Sequence, residues 1–491
     1  MSPDAAPVPG LVELGVAELA ARIAAREVSC VEVMRTYLDR IDALNPLVNA
    51  IVARRDRDQL LAEAEQRDRA LDEGPCGPLH GVPQAVKDLA EVAGQPWTSG
   101  SPVFRDRVGE VDAPFVRRIR AAGAVFVGRT NTPELGLGSQ TYNPVWGATT
   151  NPYDPTRTSG GSSGGAAAAL ALRLLPVADG SDYLGSLRNP AAFCNVLGLR
   201  PSRGRVPKPG FVAQLGESGP MGRSVADLAL LLSVMAGPDP AAPLARTDPL
   251  DLRDLRAADL RGRRIGWLGD LGGRLATEPG ILTLGRATAD ALSGLGALVE
   301  DVVPDFDLDR LWRAVLVWRW WGMAEMAPLL AAGVRERVKP EAVWEIEHGV
   351  ALTAGEIAGA LAVRDGWYAT VLRLFDRYDA LLAPSAQVFP FPVDRPWPDE
   401  VDGRPMDTYH RWMETVAPWS LAGVPVLGMP AGFDARGLPT GVQLIGPPGG
   451  DRRVLEIGLA HERATGWVDR VRPPVLGAAG RAEPARRPGG G

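Results

Sequence analysis

The chain has 491 residues, of which 45% are hydrophobic and 23% charged, and its formal net charge is −6 at pH 7. These values are typical of a globular protein, and a mildly acidic chain without a long Lys/Arg run argues against nucleic acid as the main partner. Its three cysteines, Cys30, Cys76 and Cys194, have no CxxC spacing and fit neither a disulfide framework nor a zinc site.

The N-terminal segment lacks a continuous apolar core followed by a cleavage site, so the sequence predicts no secretory signal and a cytoplasmic location. The longest apolar run, "GGAAAALALRLLPVA", contains Arg173 and Pro176 and is too short to span a bilayer. We therefore expect neither a transmembrane helix nor a membrane partner.

Apolar residues recur at helical spacing through residues 11–72, as in "VAELAARIAA", and predict a helical N-terminal layer. Beyond residue 75, short apolar runs joined by Gly/Pro turns alternate with helical segments, for example a helix near 113–122 followed by the strand-like "AVFVG" at 124–128. This alternation predicts an α/β fold in one large domain over residues 1–473. The Pro/Gly/Arg-rich segment 474–491 is predicted to be disordered.

Six of the 13 tryptophans lie in residues 312–367, on what the pattern indicates is helix. Two interpretations stay open at this point. The rings either fill a core against the sheet or line a pocket for an apolar substrate.

The segment "TRTSGGSSGG", residues 156–165, places Ser162 and Ser163 between two pairs of glycines. A flexible linker is unexpected between a strand signal and an Ala-rich helix, and a P-loop requires a lysine that is absent here. The segment also matches the G-x-S-x-G nucleophile elbow of an esterase, with Ser162 at its centre, which requires a histidine base. The chain has only four histidines, and no acid partner is evident for those downstream.

A lysine held neutral by burial is the alternative base for a serine nucleophile. Lys87 is the only lysine in the first 200 residues and follows an apolar, strand-like stretch, "GVPQAV". Because a guanidinium does not deprotonate usefully, a lysine kept in an arginine-rich chain indicates a need for a titratable amine. A structural lysine paired with Asp88 is the competing interpretation.

The stretch "LLPVADGSDYLGS", residues 174–186, is predicted to be a buried strand, "LLPVA", running into a glycine-containing turn that ends at Ser186. Successive backbone N–H groups in such a turn can converge on one anionic oxygen.

Together, Lys87, "GGSSGG" and "GSLRNPAAFC" resemble the amidase signature family, and the resemblance extends over about residues 12–468. It implies a central mixed, twisted β-sheet flanked by helices. It also implies a triad of Ser186 as nucleophile, Ser162 as a bridging serine after a cis peptide bond, and Lys87 as base; the two serines are 24 residues apart, as in the family. The oxyanion hole would be formed by the backbone N–H groups of Tyr183, Leu184, Gly185 and Ser186. No metal or organic cofactor is implied.

One position departs from the family pattern. Leu184 stands where the family usually has glycine, and we expect it to reshape the acyl pocket. By resemblance, Gly136, Leu137 and Gly138 form another wall of the substrate site. Asp182 and Arg188 are expected to brace the turn and not to contact substrate.

The sequence thus predicts an amidase that hydrolyses apolar or aryl amides, and carbamates as a urethanase does, acting on small molecules as a monomer or homodimer. The first alternative is the glutaminase component of a tRNA-dependent amidotransferase; the segment "AQLGESGP" at 213–220 lacks the Asp-Gln pairing expected there. The second is the esterase with Ser162 as nucleophile.

Overall fold

An eight-stranded mixed sheet lies at the centre of the structure, a computed structural model that describes residues 10–74 and 76–479. The strands are β1 (Ile51–Val52), β2 (Pro83–Lys87), β3 (Val125–Thr130), β4 (Tyr142–Asn143), β5 (Gly147–Ala148), β6 (Ala178–Asp182), β7 (Leu197–Arg200), β8 (Glu217–Gly222), β9 (Arg264–Trp267), β10 (Leu298–Asp301), β11 (Ala380–Pro384), β12 (Glu400–Val401), β13 (Arg404–Pro405), β14 (Val426–Phe433) and β15 (Pro439–Ile445).

The α-helices are α1 (Val16–Ala24), α2 (Cys30–Val48), α3 (Arg57–Ala70), α4 (Pro114–Ala121), α5 (Gly164–Ala171), α6 (Arg188–Cys194), α7 (Val225–Met235), α8 (Ile281–Gly294), α9 (Leu308–Met323), α10 (Pro340–Ala351), α11 (Ala354–Phe375), α12 (Ala417–Ala422), α13 (Asp451–Thr465), α14 (Trp467–Arg470) and α15 (Pro474–Ala479). Short 3-10 helices span Leu11–Glu13, Pro102–Phe104, Glu134–Gly136, Ala324–Leu330, Arg335–Arg337 and Arg411–Val416.

The large sheet has the strand order β10-β9-β11-β15-β14-β7-β8-β6, in which β10, β9 and β11 are parallel and the remaining neighbours antiparallel. A second sheet, β1-β3-β2, lies beside the edge strand β6 through contacts between β2 and β6. The predicted α/β fold with a mixed sheet in one large domain is confirmed.

The N-terminal layer predicted over 11–72 consists of α1, α2 and α3, interrupted by the two-residue strand β1. Helix α15 lies within the segment 474–491 that the sequence predicted to be disordered, while residues 480–491 lie outside the described part of the chain. Within the described ranges, no single helix is long and apolar enough to cross a membrane, although α10 and α11 together, bent by 102°, meet the criteria of length and composition.

Helix α5 is buried along its whole length and packs against β2, β3, β6 and β8. Its glycines and alanines permit this close approach: a Cβ added at Gly165 would lie 2.3 Å from the backbone N of Asn131. The helix is eight residues long. It holds the preceding glycine-serine loop between the two sheets.

Candidate active site

Lys87 is the last residue of β2 and its side chain is 1% exposed. The strand "PQAVK" is buried at every position, as the apolar context of the lysine predicts. Burial lowers the pKa of Lys87 to about 7, and the negative charges of Asp179 and Asp182 oppose this only in part. The amine can therefore lose its proton near neutral pH.

Three serine hydroxyls surround the Lys87 amine. Its Nζ lies 2.8 Å from Ser162 Oγ, 2.9 Å from Ser163 Oγ and 3.0 Å from Ser181 Oγ. Hydroxyl groups can both donate and accept hydrogen bonds, so they accommodate either protonation state of the amine. Asp88, the partner in the competing structural interpretation, instead accepts hydrogen bonds from the backbone and hydroxyl of Thr98.

The loop 156–165 places Ser162 beside the lysine. The Gly161–Ser162 peptide bond is cis. The Ser139 hydroxyl donates to the Gly161 carbonyl over 2.6 Å, and the Thr141 hydroxyl donates to the Gly160 carbonyl over 2.9 Å. Because both carbonyls are tied to the segment 139–141, the loop has little freedom to turn Ser162 away from Lys87.

The turn after β6 carries Ser186 and is organised by the carboxylate of Asp182. This group accepts hydrogen bonds from the N–H of Gly185 (2.8 Å) and of Leu187 (3.1 Å), and it pairs with Arg188 (2.9 Å) and Arg200 (3.4 Å). Burial opposes ionisation, but the two guanidinium groups outweigh it and hold the pKa of Asp182 far below its usual range. Asp182 and Arg188 therefore brace the turn, as the sequence predicted.

The candidate oxyanion donors differ from the expectation at one position. The Gly185 N–H is already donated to Asp182 and is not free for a substrate oxygen. Among the described residues, the N–H groups of Tyr183, Leu184 and Ser186 have no hydrogen-bond acceptor. Gly185 itself has φ 89°, and a Cβ there would lie 2.2 Å from Asn189 Oδ1, so the turn requires glycine at this position.

The Leu184 side chain lies in the hydrophobic core, whereas the sequence predicts that it reshapes the acyl pocket. The side chain is 3% exposed and belongs to a hydrophobic cluster with Leu215 and Trp318. The positive φ of the turn falls on Gly185, so Leu184 keeps a backbone conformation that suits any residue. The isobutyl group packs into the core and does not line the cavity described next.

A cavity of about 210 Å³ opens in front of Ser162. Its lining residues are Leu89, Leu135, Gly136, Leu137, Ser162, Ser181, Asp182, Tyr183, Lys208, Gly216, Glu217, Ser218, Arg319, Gly322 and Met323. Of the residues predicted to contact substrate, Gly136 and Leu137 lie on this wall, whereas Gly138 and the predicted nucleophile Ser186 do not. The cavity shares Lys208, Gly216, Glu217 and Gly322 with an outer cleft of about 480 Å³.

The structure brings Lys87 and Ser162 into hydrogen-bond contact, whereas no hydrogen bond among the described residues joins Ser186 to either of them. The Ser186 side chain is mostly buried, and its hydroxyl makes no hydrogen bond to any residue of the described ranges. Catalytic hydrogen bonds are often long or absent without substrate and tighten when it binds.

Some tryptophans of residues 312–367 fill the core, and one lines a cleft. Trp312, Trp318 and Trp367 are buried in the core, and Trp321 lines the outer cleft. None of the six lines the cavity in front of Ser162, where helix α9 instead contributes Arg319, Gly322 and Met323.

The residues of the site that were not identified from the sequence include four titratable or hydroxyl side chains: Asp179, Ser181, Glu217 and Arg319. Asp179 accepts a hydrogen bond from the Lys87 backbone N–H over 3.3 Å, and burial raises the pKa of its carboxyl to about 6. Asp179 and Ser181 could have been identified from the sequence. They alternate along a strand that ends at the predicted active-site turn, so both side chains lie on one face of it.

The histidines contribute nothing to the site. All four lie in the described ranges, and none of them hydrogen-bonds to Ser162 or Ser186. His461 is buried, which lowers its pKa to about 4. The described residues also contain no group of three or more His, Cys, Asp and Glu side chains arranged to hold a metal ion.

The sequence and the structure are both similar to those of known amidases. The profile of the family described as Amidase matches residues 32–455. The chain is 34% identical over 467 residues to the acylamidase of Rhodococcus erythropolis, with 93% of this chain and 96% of that protein covered. It is 36% identical over 490 residues to a Glutamyl-tRNA(Gln) amidotransferase subunit of Chloroflexus aurantiacus, with 93% and 98% covered. The structure of a bacterial aryl acylamidase of the amidase signature enzymes superposes with a TM-score of 0.87 at 29% identity, covering 93% of this chain and 98% of that one.

Proposed function

The chain belongs to the amidase family and is an amidohydrolase, and we propose that it cleaves apolar or aryl carboxamides through an acyl-enzyme on Ser186. The observation that carries this proposal is the buried Lys87 amine, with a pKa of about 7, in hydrogen-bond contact with Ser162. A serine nucleophile needs a base that is neutral at the working pH. None of the four histidines, all in the described ranges, hydrogen-bonds to either serine, which supports Lys87 as the base.

In the proposed first step, the Ser186 Oγ attacks the substrate carbonyl carbon and its proton passes through the Ser162 hydroxyl to Lys87 Nζ. The N–H groups of Tyr183, Leu184 and Ser186 are the available donors for the negative oxygen that forms. Donors fixed in place before reaction stabilise such charge most effectively. The Asp182 carboxylate supplies this rigidity, because it ties the turn to Arg188 and Arg200.

In the second half, the proton on Lys87 returns through Ser162 to the leaving nitrogen, the C–N bond breaks and the amine departs. Water then attacks the ester carbonyl of acylated Ser186 while Lys87 accepts its proton through Ser162. The C–O bond to Ser186 breaks as that proton returns through Ser162 to the Ser186 Oγ, and the carboxylic acid leaves with Lys87 neutral again. The atoms and protons of these reaction steps balance without a metal or cofactor.

The residues that line the cavity favour a substrate with an apolar or aryl group. Leu89, Leu135, Leu137 and Met323 contribute aliphatic surface, and the Tyr183 ring adds an aromatic face. A cavity of about 150 Å³ lined by apolar side chains binds benzene, so the volume of about 210 Å³ accommodates one substituted ring. Carbamates have the same carbonyl and leaving nitrogen, and we include aryl carbamates among the substrates to be tested.

Hydrolysis of glutamine, as part of an amidotransferase, is the second candidate function, favoured by the 36% identity to the amidotransferase subunit of Chloroflexus aurantiacus. A free glutamine carries an ammonium group, which needs a carboxylate partner. The acids on the cavity wall are Asp182, already paired with two arginines, and Glu217, whose pKa burial raises to about 7. Neither is a strong counter-ion for an ammonium at neutral pH, which argues against glutamine.

The test is a substrate panel on the purified chain alone: anilides, aliphatic amides, an aryl carbamate and glutamine. We expect turnover of the anilides and the apolar amides, with Ser186→Ala inactive and the exposed-helix control Ser233→Ala fully active. Turnover of glutamine alone would refute the proposal in favour of the second candidate. Full activity of Ser186→Ala would refute the assignment of the nucleophile.

A further inference from the structure

Arg319 is a buried cation on the wall of the cavity in front of Ser162. Its Nε donates to Glu345 Oε1 and its Nη2 donates to the Tyr409 hydroxyl. The Tyr409 hydroxyl in turn donates to the same Glu345 oxygen over 2.6 Å. The guanidinium also lies near the rings of Tyr183 and Tyr409, whose centroids are 5.6 and 5.5 Å from Cζ.

The third nitrogen of this guanidinium, Nη1, has no hydrogen-bond partner among the described residues. This nitrogen is accessible, whereas the unpartnered nitrogens of Arg129 and Arg200 are fully buried. Arg188, a purely structural arginine of the same site, has every nitrogen bonded and no place on the cavity wall. Arg319 therefore presents a fixed, unused donor to the space in front of Ser162.

We propose that Arg319 Nη1 is a specificity-determining donor that binds a neutral oxygen acceptor, such as a carbonyl, nitro or ether oxygen, on the ring that fills the cavity. This inference rests on the proposed function and narrows its substrate class to aryl amides or aryl carbamates that carry such a substituent. A substrate without the acceptor would displace water from Nη1 and leave a charged donor unsatisfied, which is costly.

The charge balance favours a neutral acceptor over a carboxylate. Glu345 is fully buried and already neutralises Arg319 through the shared Oε1. A substrate carboxylate would add a second negative charge against the same cation. The other cation on the wall, Lys208, is an exposed side chain whose charge is screened by solvent.

The test uses isosteric pairs of substrates that differ only in the acceptor oxygen. The pairs are 4-acetyl and 4-isopropenyl acetanilide, with the ring in the amine half, and 4-acetyl and 4-isopropenyl benzamide, with the ring in the acyl half. Each kcat/KM is divided by the rate of alkaline hydrolysis to remove electronic effects. We expect a preference for the acetyl compound of about 10- to 100-fold in one of the two series, and a 4-carboxy analogue no better than the isopropenyl compound.

Two variants assign the preference to the residue. In Arg319→Lys, which keeps a positive charge near Glu345 but lacks Nη1, the ratio falls towards one. In Lys208→Met, which removes the other cation, the ratio persists. If Arg319→Lys does not fold, the wild-type ratio and its persistence in Lys208→Met still decide the question.

The proposal is overturned by wild-type ratios within twofold in both series, by an unchanged ratio in Arg319→Lys, by loss of the ratio in Lys208→Met, or by preference for the carboxylate. In these cases both members of a pair are still hydrolysed, so the proposed function stands. Absence of turnover for every compound refutes the proposed function and this inference with it.

Discussion

Replacing Lys87 by methionine tests directly whether the amine is buried at a cost in stability. Burial lowers the pKa of Lys87 from 10.5 to about 7 in the folded chain. Each pKa unit corresponds to about 1.36 kcal/mol, so folding with this lysine costs about 4 to 5 kcal/mol below pH 7 and about 2 kcal/mol at pH 9. Between pH 7 and pH 9 the Lys87 amine binds more protons in the unfolded chain than in the folded chain. Raising the pH over this range therefore stabilises the folded wild type.

In Lys87→Met this cost is absent at every pH, while three serine hydroxyls lose a partner worth about 1 kcal/mol each. The variant should therefore melt slightly above the wild type at pH 7 and slightly below it at pH 9. For the roughly 470 residues that the structure describes, 1 kcal/mol corresponds to roughly 1 °C. The difference in melting temperature, variant minus wild type, should fall by about 2 °C between the two pH values.

Differential scanning calorimetry at pH 7, 8 and 9 measures this difference, with Ser162→Ala as the matched control because it keeps the amine. The control should differ from the wild type by an amount independent of pH. A constant difference for Lys87→Met, or one that grows with pH, would refute the assignment of a neutral buried lysine.

Three further predictions concern catalysis and the active-site turn. Because the base must be neutral, kcat/KM should fall as the pH drops through about 7 and lose about tenfold per pH unit well below it; a flat profile from pH 5 to 8 would count against Lys87 as base. Gly185→Ala forces a side chain to within 2.2 Å of Asn189 Oδ1 at φ 89°, and we expect at least a hundredfold loss of kcat in a folded protein; near-normal kcat would show that the turn geometry is not required. Leu184→Ala should lower the free energy of unfolding by about 2 to 4 kcal/mol with unchanged substrate preference, since the side chain packs with Trp318 and not in the cavity; an altered preference in substrate competition would restore its expected role.

The sequence predicted those features that depend on local pattern or on motif order. Lys87 stands at the end of a buried strand, the loop with Ser162 lies next to it, and the family resemblance read from these motifs is confirmed. Each of these features is encoded within a few residues, as an apolar run before the lysine or as glycines around the serines. Asp182 and Arg188 brace the turn because they are six residues apart across one bend.

Other features depend on contacts that the sequence does not display. The strand predicted at "LLPVA" begins at Ala178, because the polar residues of "ADGSD" pair with β8 and meet Lys87 on the neighbouring sheet. The role of Arg319 depends on Glu345 and Tyr409, which are 26 and 90 residues away. The direction of Leu184 depends on whether the positive φ falls at 184 or 185, and composition alone does not decide this.

Trapping the acyl-enzyme tests the central claim most directly. The wild type is mixed with an anilide, quenched in acid within the first turnovers and digested, and the peptide carrying the acyl mass is identified by mass spectrometry. The account predicts the acyl group on Ser186, and its absence in Ser186→Ala. An acyl group on Ser162, or steady turnover by Ser186→Ala, would contradict it.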